Sequence, residues 1–388
     1  MESTLRRTWA EINLDHLIHN YKRLRAHVGE KVKFMGVVKA DAYGQGAVHS
    51  ARVLQEQGAD YLSVSSLDEA RELRNHGITM PILLLGHTPA EEVPLLLENN
   101  ITQTVTCEAK AIEYNEEAKK CGAKLKIHIK LDTGMSRLGF LCDGVHFESG
   151  VEGVYRACNL ENLEAEGIFT HFAVSDERDE ESRAFTKAQF DLFMKMISVL
   201  EEKGVRFALR HCANSGAVAN YPETYLDMVR PGILLYGYGE HAERLGMKPV
   251  MSLKSVVNTI KIFEPGTDVS YGRLYTTRER SRLGVLPIGY ADGFFRCLSN
   301  RCSLATRCGL APLRGRICMD MCMIDLSALP EIQVGDEVEI FGENNSLNDL
   351  AALAGTIPYE LTCAVSKRVP RVFVADGREI GRELRLLD

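Results

Sequence analysis

Apolar residues follow two different rhythms along this chain. In the first part they gather in short unbroken runs, at Phe34–Val38, Tyr61–Val64, Ile82–Leu85, Thr102–Val105, Leu125–Leu131, Gly167–Thr170, Phe207–Leu209 and Met228–Leu235. Between most of the runs, apolar residues recur at helical spacing, as Leu17, Ile18, Tyr21 and Leu24 do after a capping Asn13 or Asp15. Strands that are apolar on both faces and separated by helices predict a parallel sheet covered on its outer side, and eight such units are the number that closes a (β/α)8 barrel. The barrel is expected over residues 1–239, with a short opening strand at Thr8–Ile12, the first dozen residues being free to pack with the β domain that follows. Beyond Gly239 the texture changes to short alternating runs with glycine and proline between them, at Lys254–Phe263, Ser281–Pro287 and Asp336–Phe341. That predicts a mostly β domain over residues 240–388, with one short helix at Leu347–Ala354.

Composition narrows the classes of partner. The chain has 388 residues, 45% hydrophobic and 26% charged, enough for a large core in two domains. A net charge of −7 leaves no basic field for nucleic acid or an anionic membrane, so a small molecule is the expected partner. Glu2, Arg6 and Arg7 are not followed by an apolar stretch, and no run approaches the ~18 residues of a membrane span, so the cytoplasm is the expected compartment. The cysteines are odd in number, 11, as suits reduced thiols. Cys297, Cys302, Cys308, Cys318 and Cys322 lack a C-x2-C pair and a neighbouring histidine, so no metal site is expected.

Charged and polar residues collect where the apolar runs end, which in a barrel is the face that carries chemistry. Lys39 follows the first run, Lys130, Asp132 and Arg137 close the fifth, and His171 closes the sixth. His211, Asn214 and Ser215 follow the seventh, and Arg230 interrupts the eighth. Lys39 has two readings: an ammonium at a wet strand end, or an amine held in a dry pocket for Schiff-base chemistry. Ser215, Gly232 and Ile233 either hold a phosphate above the last two strands or form an ordinary helix cap and turn. Arg230 within an apolar run requires buried partners unless the strand end is solvated.

These residues lie in motifs that together resemble the alanine racemase family over both domains: Val37–Gly44, Ile127–Gly139, His171–Ala173, Arg210–Ser215, Val229–Ile233, Ser270–Arg273, Ile288–Gly293, Arg316–Met321 and Ile357–Glu360. The resemblance implies pyridoxal 5′-phosphate (PLP) bound to Lys39, with its phosphate held by Tyr43, Ser215, Gly232, Ile233 and Tyr359 beside Asn214. It assigns Arg137 to the cofactor's phenolic oxygen and Arg230 to its pyridine nitrogen, backed by His171 and His211. Lys130 matches a lysine that relatives often carry as a carbamate. Tyr271 matches a second base donated across a head-to-tail homodimer with shared active sites. Met319 and Asp320 match residues near the substrate carboxylate, and Tyr290 with Tyr359 matches a narrow entrance.

The resemblance implies racemisation of L- and D-alanine by two bases, Lys39 and Tyr271, supplying D-alanine for peptidoglycan. A serine or broader racemase is the first alternative. A barrel-type PLP decarboxylase is the second, and Arg230 argues against it, because an acidic pyridine partner is expected there. Two positions depart from the family pattern: Gln45 replaces a common histidine, and Met321 a common glutamine.

Overall fold

Eight parallel strands form one sheet in a computed structural model of the chain, which describes residues 7–387: Lys33–Val37, Tyr61–Val64, Ile82–Leu84, Ile101–Val105, Leu125–Asp132, Leu163–Phe169, Leu209–His211 and Met228–Val229. The first seven pair in chain order, the eighth pairs with the first through Met228 opposite Lys33, and a further two-residue strand, Phe140–Leu141, lies parallel to the end of the fifth. Between the seventh and eighth, the Asp227 amide donates to Arg210 O at 3.1 Å and the Arg230 amide to Ala213 O at 2.8 Å. The sheet is thus a nearly closed barrel of the TIM type.

The interior is filled by Met35, Tyr61, Leu83, Phe169, Leu209 and Met228, all buried. Each such side chain contributes about 1.5–3 kcal/mol when fully removed from water. Outer helices present apolar faces to the strands; Leu67–Asn75, for example, buries Leu67, Ala70 and Leu73 and starts at a capping box of Ser66 and Glu69. The sixth strand starts at Leu163, four residues before the apolar run at Gly167, and the eighth stops at Val229 because Pro231 and Gly232 turn the chain.

The barrel strands belong to a unit of residues Tyr21–Ala42 and Ala47–Leu235. A second unit comprises residues through Asn20, Tyr43–Gly46 and Tyr236 onward. Its main sheet has seven strands, ordered Gly309–Pro312, Ser303–Thr306, Glu337–Phe341, Met251–Val256, Thr8–Asn13, Arg371–Ala375 and Arg378–Glu383. Thr8–Asn13, the opening strand, lies antiparallel to Met251–Val256 and parallel to Arg371–Ala375. Thr259–Phe263, Ser281–Leu286 and Cys322–Asp325 make a smaller sheet, and the expected helix Leu347–Ala354 runs from a Ser346 cap to a left-handed Gly355.

Arg371 is the largest fully buried side chain of this unit. It donates to the carbonyls of Gly44, Val365, Ser366 and Val369. Among the described residues, no helix is long and apolar enough to cross a membrane.

Candidate active site

The first barrel strand ends in a backbone conformation that side chains resist. Lys39–Gly44 forms a helical turn in which φ is +51° at Ala40, +57° at Asp41, +52° at Ala42, +57° at Tyr43 and +83° at Gly44. Left-handed winding brings Cβ against the next carbonyl and costs about 1–2 kcal/mol for each residue that is not glycine. Such strain persists only when surrounding groups hold it. Here the Ala42 amide donates to Val38 O at 2.8 Å, and the Ala47 amide to Asp41 Oδ1 at 2.9 Å. The Ala40 amide donates to Glu69 Oε1 at 2.6 Å, while Glu69 Oε2 takes the amides of Ser65 and Ser66 at 2.6 and 3.2 Å. One carboxylate thereby caps the Leu67–Asn75 helix and holds the turn that carries the half-buried Lys39.

The fifth strand delivers two cations. Asp132 at its end accepts the amides of Gly134 and Ser136 on Oδ1 and of Arg137 on Oδ2, at 3.0, 2.9 and 2.9 Å, and so folds the loop that carries Arg137. Lys130 is buried over the Phe169 ring, 5.7 Å from its centroid. Burial, followed by the charges of Arg137 and Arg230, brings the Lys130 pKa down to about 8, with Asp132 opposing and Lys39 adding to the shift.

Arg230 is buried and surrounded by neutral acceptors. Nη1 donates to His211 Nδ1 at 2.8 Å, and Nη2 to Thr170 O at 2.9 Å, Cys212 O at 3.3 Å and His171 Nδ1 at 3.4 Å. No partner for Nε–H is found among the described residues. A guanidinium has no acceptor, so both histidines face it with an unprotonated Nδ1. Burial, reinforced by the Arg230 charge, holds both histidines well below their ordinary pKa. Burial also lowers Arg230, to about 10.

Above the seventh and eighth strands, the helix cap is Asn214, not Ser215. Asn214 Oδ1 accepts the Ala217 amide at 3.0 Å and the Ser175 hydroxyl at 2.6 Å. Ser215 is left to hold the turn after Pro231, its Oγ accepting the Gly232 amide at 2.9 Å and the Leu234 amide at 3.5 Å. The first amides of the helix Ser215–Asn220 have no partner within it, and Ile233 opens a 3-10 turn.

The second unit gathers the remaining residues into two groups. The buried Tyr43 ring packs at 5.2 Å from Tyr236 and 5.7 Å from Tyr359, and burial raises its pKa. In the other group, Ser270 Oγ donates to Arg316 O at 2.7 Å, which ties the turn of Tyr271 to the loop before Met319. The amides of Tyr290 and Ala291 donate to Cys318 O and Met319 O, both at 3.0 Å. Asp320 Oδ1 accepts from Arg368 at 2.7 Å. Tyr271 is 70% exposed, and Tyr290 and Met319 are exposed beside it in this loop cluster. Glu69 was not foreseen as part of the site, although the Ser66-x-x-Glu69 spacing already marks it as a capping box.

Residues 12–240 match the family described as alanine racemase, N-terminal domain, and residues 250–373 match alanine racemase, C-terminal domain. A protein named alanine racemase from Clostridium tetani is 45% identical over 386 residues, covering 97% of this chain and 98% of its own length. The solved alanine racemase of Clostridium difficile 630 superposes with a TM-score of 0.92 at 40% identity, covering 99% of this chain and 100% of that one. A structure of that racemase in complex with cycloserine gives 0.89 at 39% identity, over 98% and 99% of the two chains. Matched along nearly its whole length in sequence and in fold, the chain belongs to the alanine racemase family.

Proposed function

We propose that this chain interconverts L- and D-alanine with PLP, as a homodimer whose sites draw on both subunits. One observation carries the reading: the barrel end gathers Lys39, Lys130, Arg137 and Arg230, and the carboxylate beside Lys130, Asp132, is engaged with backbone amides. Such a donor set fits a ligand that is anionic at several points and has one neutral acceptor. PLP has that character: the first amides at Ser215, Ile233 and the Tyr43 and Tyr359 hydroxyls would take its phosphate, Arg137 its phenolic oxygen, and Arg230 Nε–H its ring nitrogen. When bound, the cofactor withdraws electrons from an attached amino acid and acidifies its Cα–H.

The residues divide the rest of the chemistry. Lys39 Nζ takes the Cα proton of the D-enantiomer on one face, and in the reverse direction it delivers a proton to that face. Oη of the partner subunit's Tyr271 serves the opposite face, so one proton leaves to the base on one side while another is delivered by the base on the other. Arg230 donates and cannot accept, so against the ring nitrogen it would leave that nitrogen unprotonated and limit the electron withdrawal the cofactor supplies. Arg137 and the Met319–Asp320 segment orient the substrate carboxylate, and Tyr290 with Tyr359 narrows the entrance to small amino acids. Alanine is favoured over serine on that ground, and Arg230 disfavours a decarboxylase. D-Alanine made in the cytoplasm would feed peptidoglycan synthesis.

The test is racemisation of single enantiomers of alanine, serine and bulkier amino acids, followed by circular dichroism with added PLP. Loss of optical activity from either alanine enantiomer, fastest within the panel, is expected. No racemisation of alanine by PLP-loaded protein would overturn the reading.

A further inference from the structure

A file of hydrogen-bonded side chains runs from Arg230 down through the apolar barrel interior. His211 Nδ1 accepts from Arg230 at 2.8 Å, and His211 Nε2 lies 2.9 Å from His128 Nδ1. His128 Nε2 lies 3.2 Å from Glu166 Oε2, which also accepts the Tyr61 hydroxyl at 2.8 Å. The two imidazoles are fully buried and Glu166 partly so. Phe169 stacks on His211 at 4.8 Å. The wall is cut to fit: a Cβ on Gly167, which faces His128 across the strand pair, would fall 2.6 Å from that ring.

The ends of the file determine its direction. A guanidinium only donates and an ionised carboxylate only accepts. All three links are satisfied only if His211 and His128 are both neutral and both carry hydrogen on Nε2. Burial, the leading cause, holds both imidazoles below their ordinary pKa, and the His128 contact is the leading cause that holds Glu166 below its own. Arg230 has no ion pair with a carboxylate among the described residues, so Glu166 is the anion on which its file ends.

We propose that Glu166 is a positioning residue for Arg230. Its charge polarises two imidazoles in series and strengthens His211 Nδ1 as an acceptor. The guanidinium is thereby held in one plane with Nε–H free for the ring nitrogen. The proposal rests on the reading that places Arg230 against that nitrogen.

The experiment uses PLP-loaded protein labelled with 15N-histidine, in wild type, Glu166→Leu, Glu166→Gln and Tyr61→Phe, with His128→Gln and His211→Gln to assign signals. Wild type is expected to show both rings as neutral Nε2–H tautomers. Glu166→Leu is expected to shift the His211 ring nitrogens, change the absorbance of bound cofactor and lower kcat about ten- to a hundredfold with KM nearly unchanged. Glu166→Gln, whose carbonyl still accepts, is expected to recover most of kcat, and Tyr61→Phe to keep it.

If Glu166→Leu does not fold, Glu166→Gln is read by the same His211 signals, with a smaller shift in the same direction expected. Unchanged His211 signals and rate in the folded variant overturn the proposal, as does a Tyr61→Phe loss equal to that of Glu166→Leu. Shifted His211 signals with unaltered rate and absorbance overturn it too. Arg230→Gln then separates the causes: no change in cofactor absorbance means the reading of Arg230 has failed, and a change means only the role of Glu166 has.

Discussion

The amide of Ala40 donates to Glu69 Oε1 at 2.6 Å, joining the left-handed turn after Lys39 to the start of the next outer helix. The turn is held against a conformational cost of about 1–2 kcal/mol for each of its side-chain-bearing residues, so the contact bears on the geometry of the turn as well as on stability.

Glu69→Ala is therefore expected to lower stability by roughly 1–3 kcal/mol, the scale of a lost cap and its charged acceptor. It is also expected to release PLP faster, because Lys39 loses its fixed approach. Urea unfolding and dialysis of the holoenzyme measure the two effects. Retention of PLP equal to wild type would show that the turn is held without Glu69.

Arg230→Glu places an acceptor where the protein has a donor-only group, and a glutamate there favours a proton on the cofactor's ring nitrogen. Stronger electron withdrawal is expected to misdirect proton return, so that the amino group of alanine passes to the cofactor and pyruvate is released. Pyruvate is measured by an enzyme-coupled assay. A folded, PLP-loaded variant that makes none would rule out the electronic role of Arg230.

Much of this arrangement is legible in sequence because buried charge is rare. Arg230 in an apolar run announces buried partners, and the structure supplies them as imidazoles and carbonyls instead of an acid. The sixth strand extends beyond its apolar run, to Leu163, because Glu164 and Glu166 break the apolar pattern without ending the strand. Glu166 is tolerated there because His128 and Tyr61 both donate to it. The left-handed turn had no local signal beyond Gly44, since Ala40, Asp41, Ala42 and Tyr43 are residues that prefer negative φ. Thr8–Asn13 reads as a strand, but its partners Met251–Val256 and Arg371–Ala375 lie far along the chain, beyond any local pattern.

Lys130 offers a pH test. Its folded pKa of about 8 lies below the ordinary 10.5, so protonated Lys130 opposes folding below pH 8, and the penalty fades as pH rises from about 8 to 10.5. The same shift leaves roughly a tenth of Lys130 as free amine at pH 7, which favours reaction with carbon dioxide. Bicarbonate at neutral pH is expected to add the mass of one carbon dioxide in native mass spectra and raise Tm. Lys130→Ala should abolish both responses, and a bicarbonate-induced rise in Tm that survives Lys130→Ala would contradict the assignment.

Two bases from different subunits, Lys39 and the partner subunit's Tyr271, are expected to work on opposite faces of one substrate. The decisive measurement mixes dissociated Lys39→Ala and Tyr271→Phe subunits and assays alanine racemisation after reassociation. In a heterodimer with shared sites, one site combines both lesions and the other has neither, so mixing two inactive proteins is expected to restore activity. Heterodimers that form, bind PLP and stay inactive would place both residues in the same site of one chain and contradict the account.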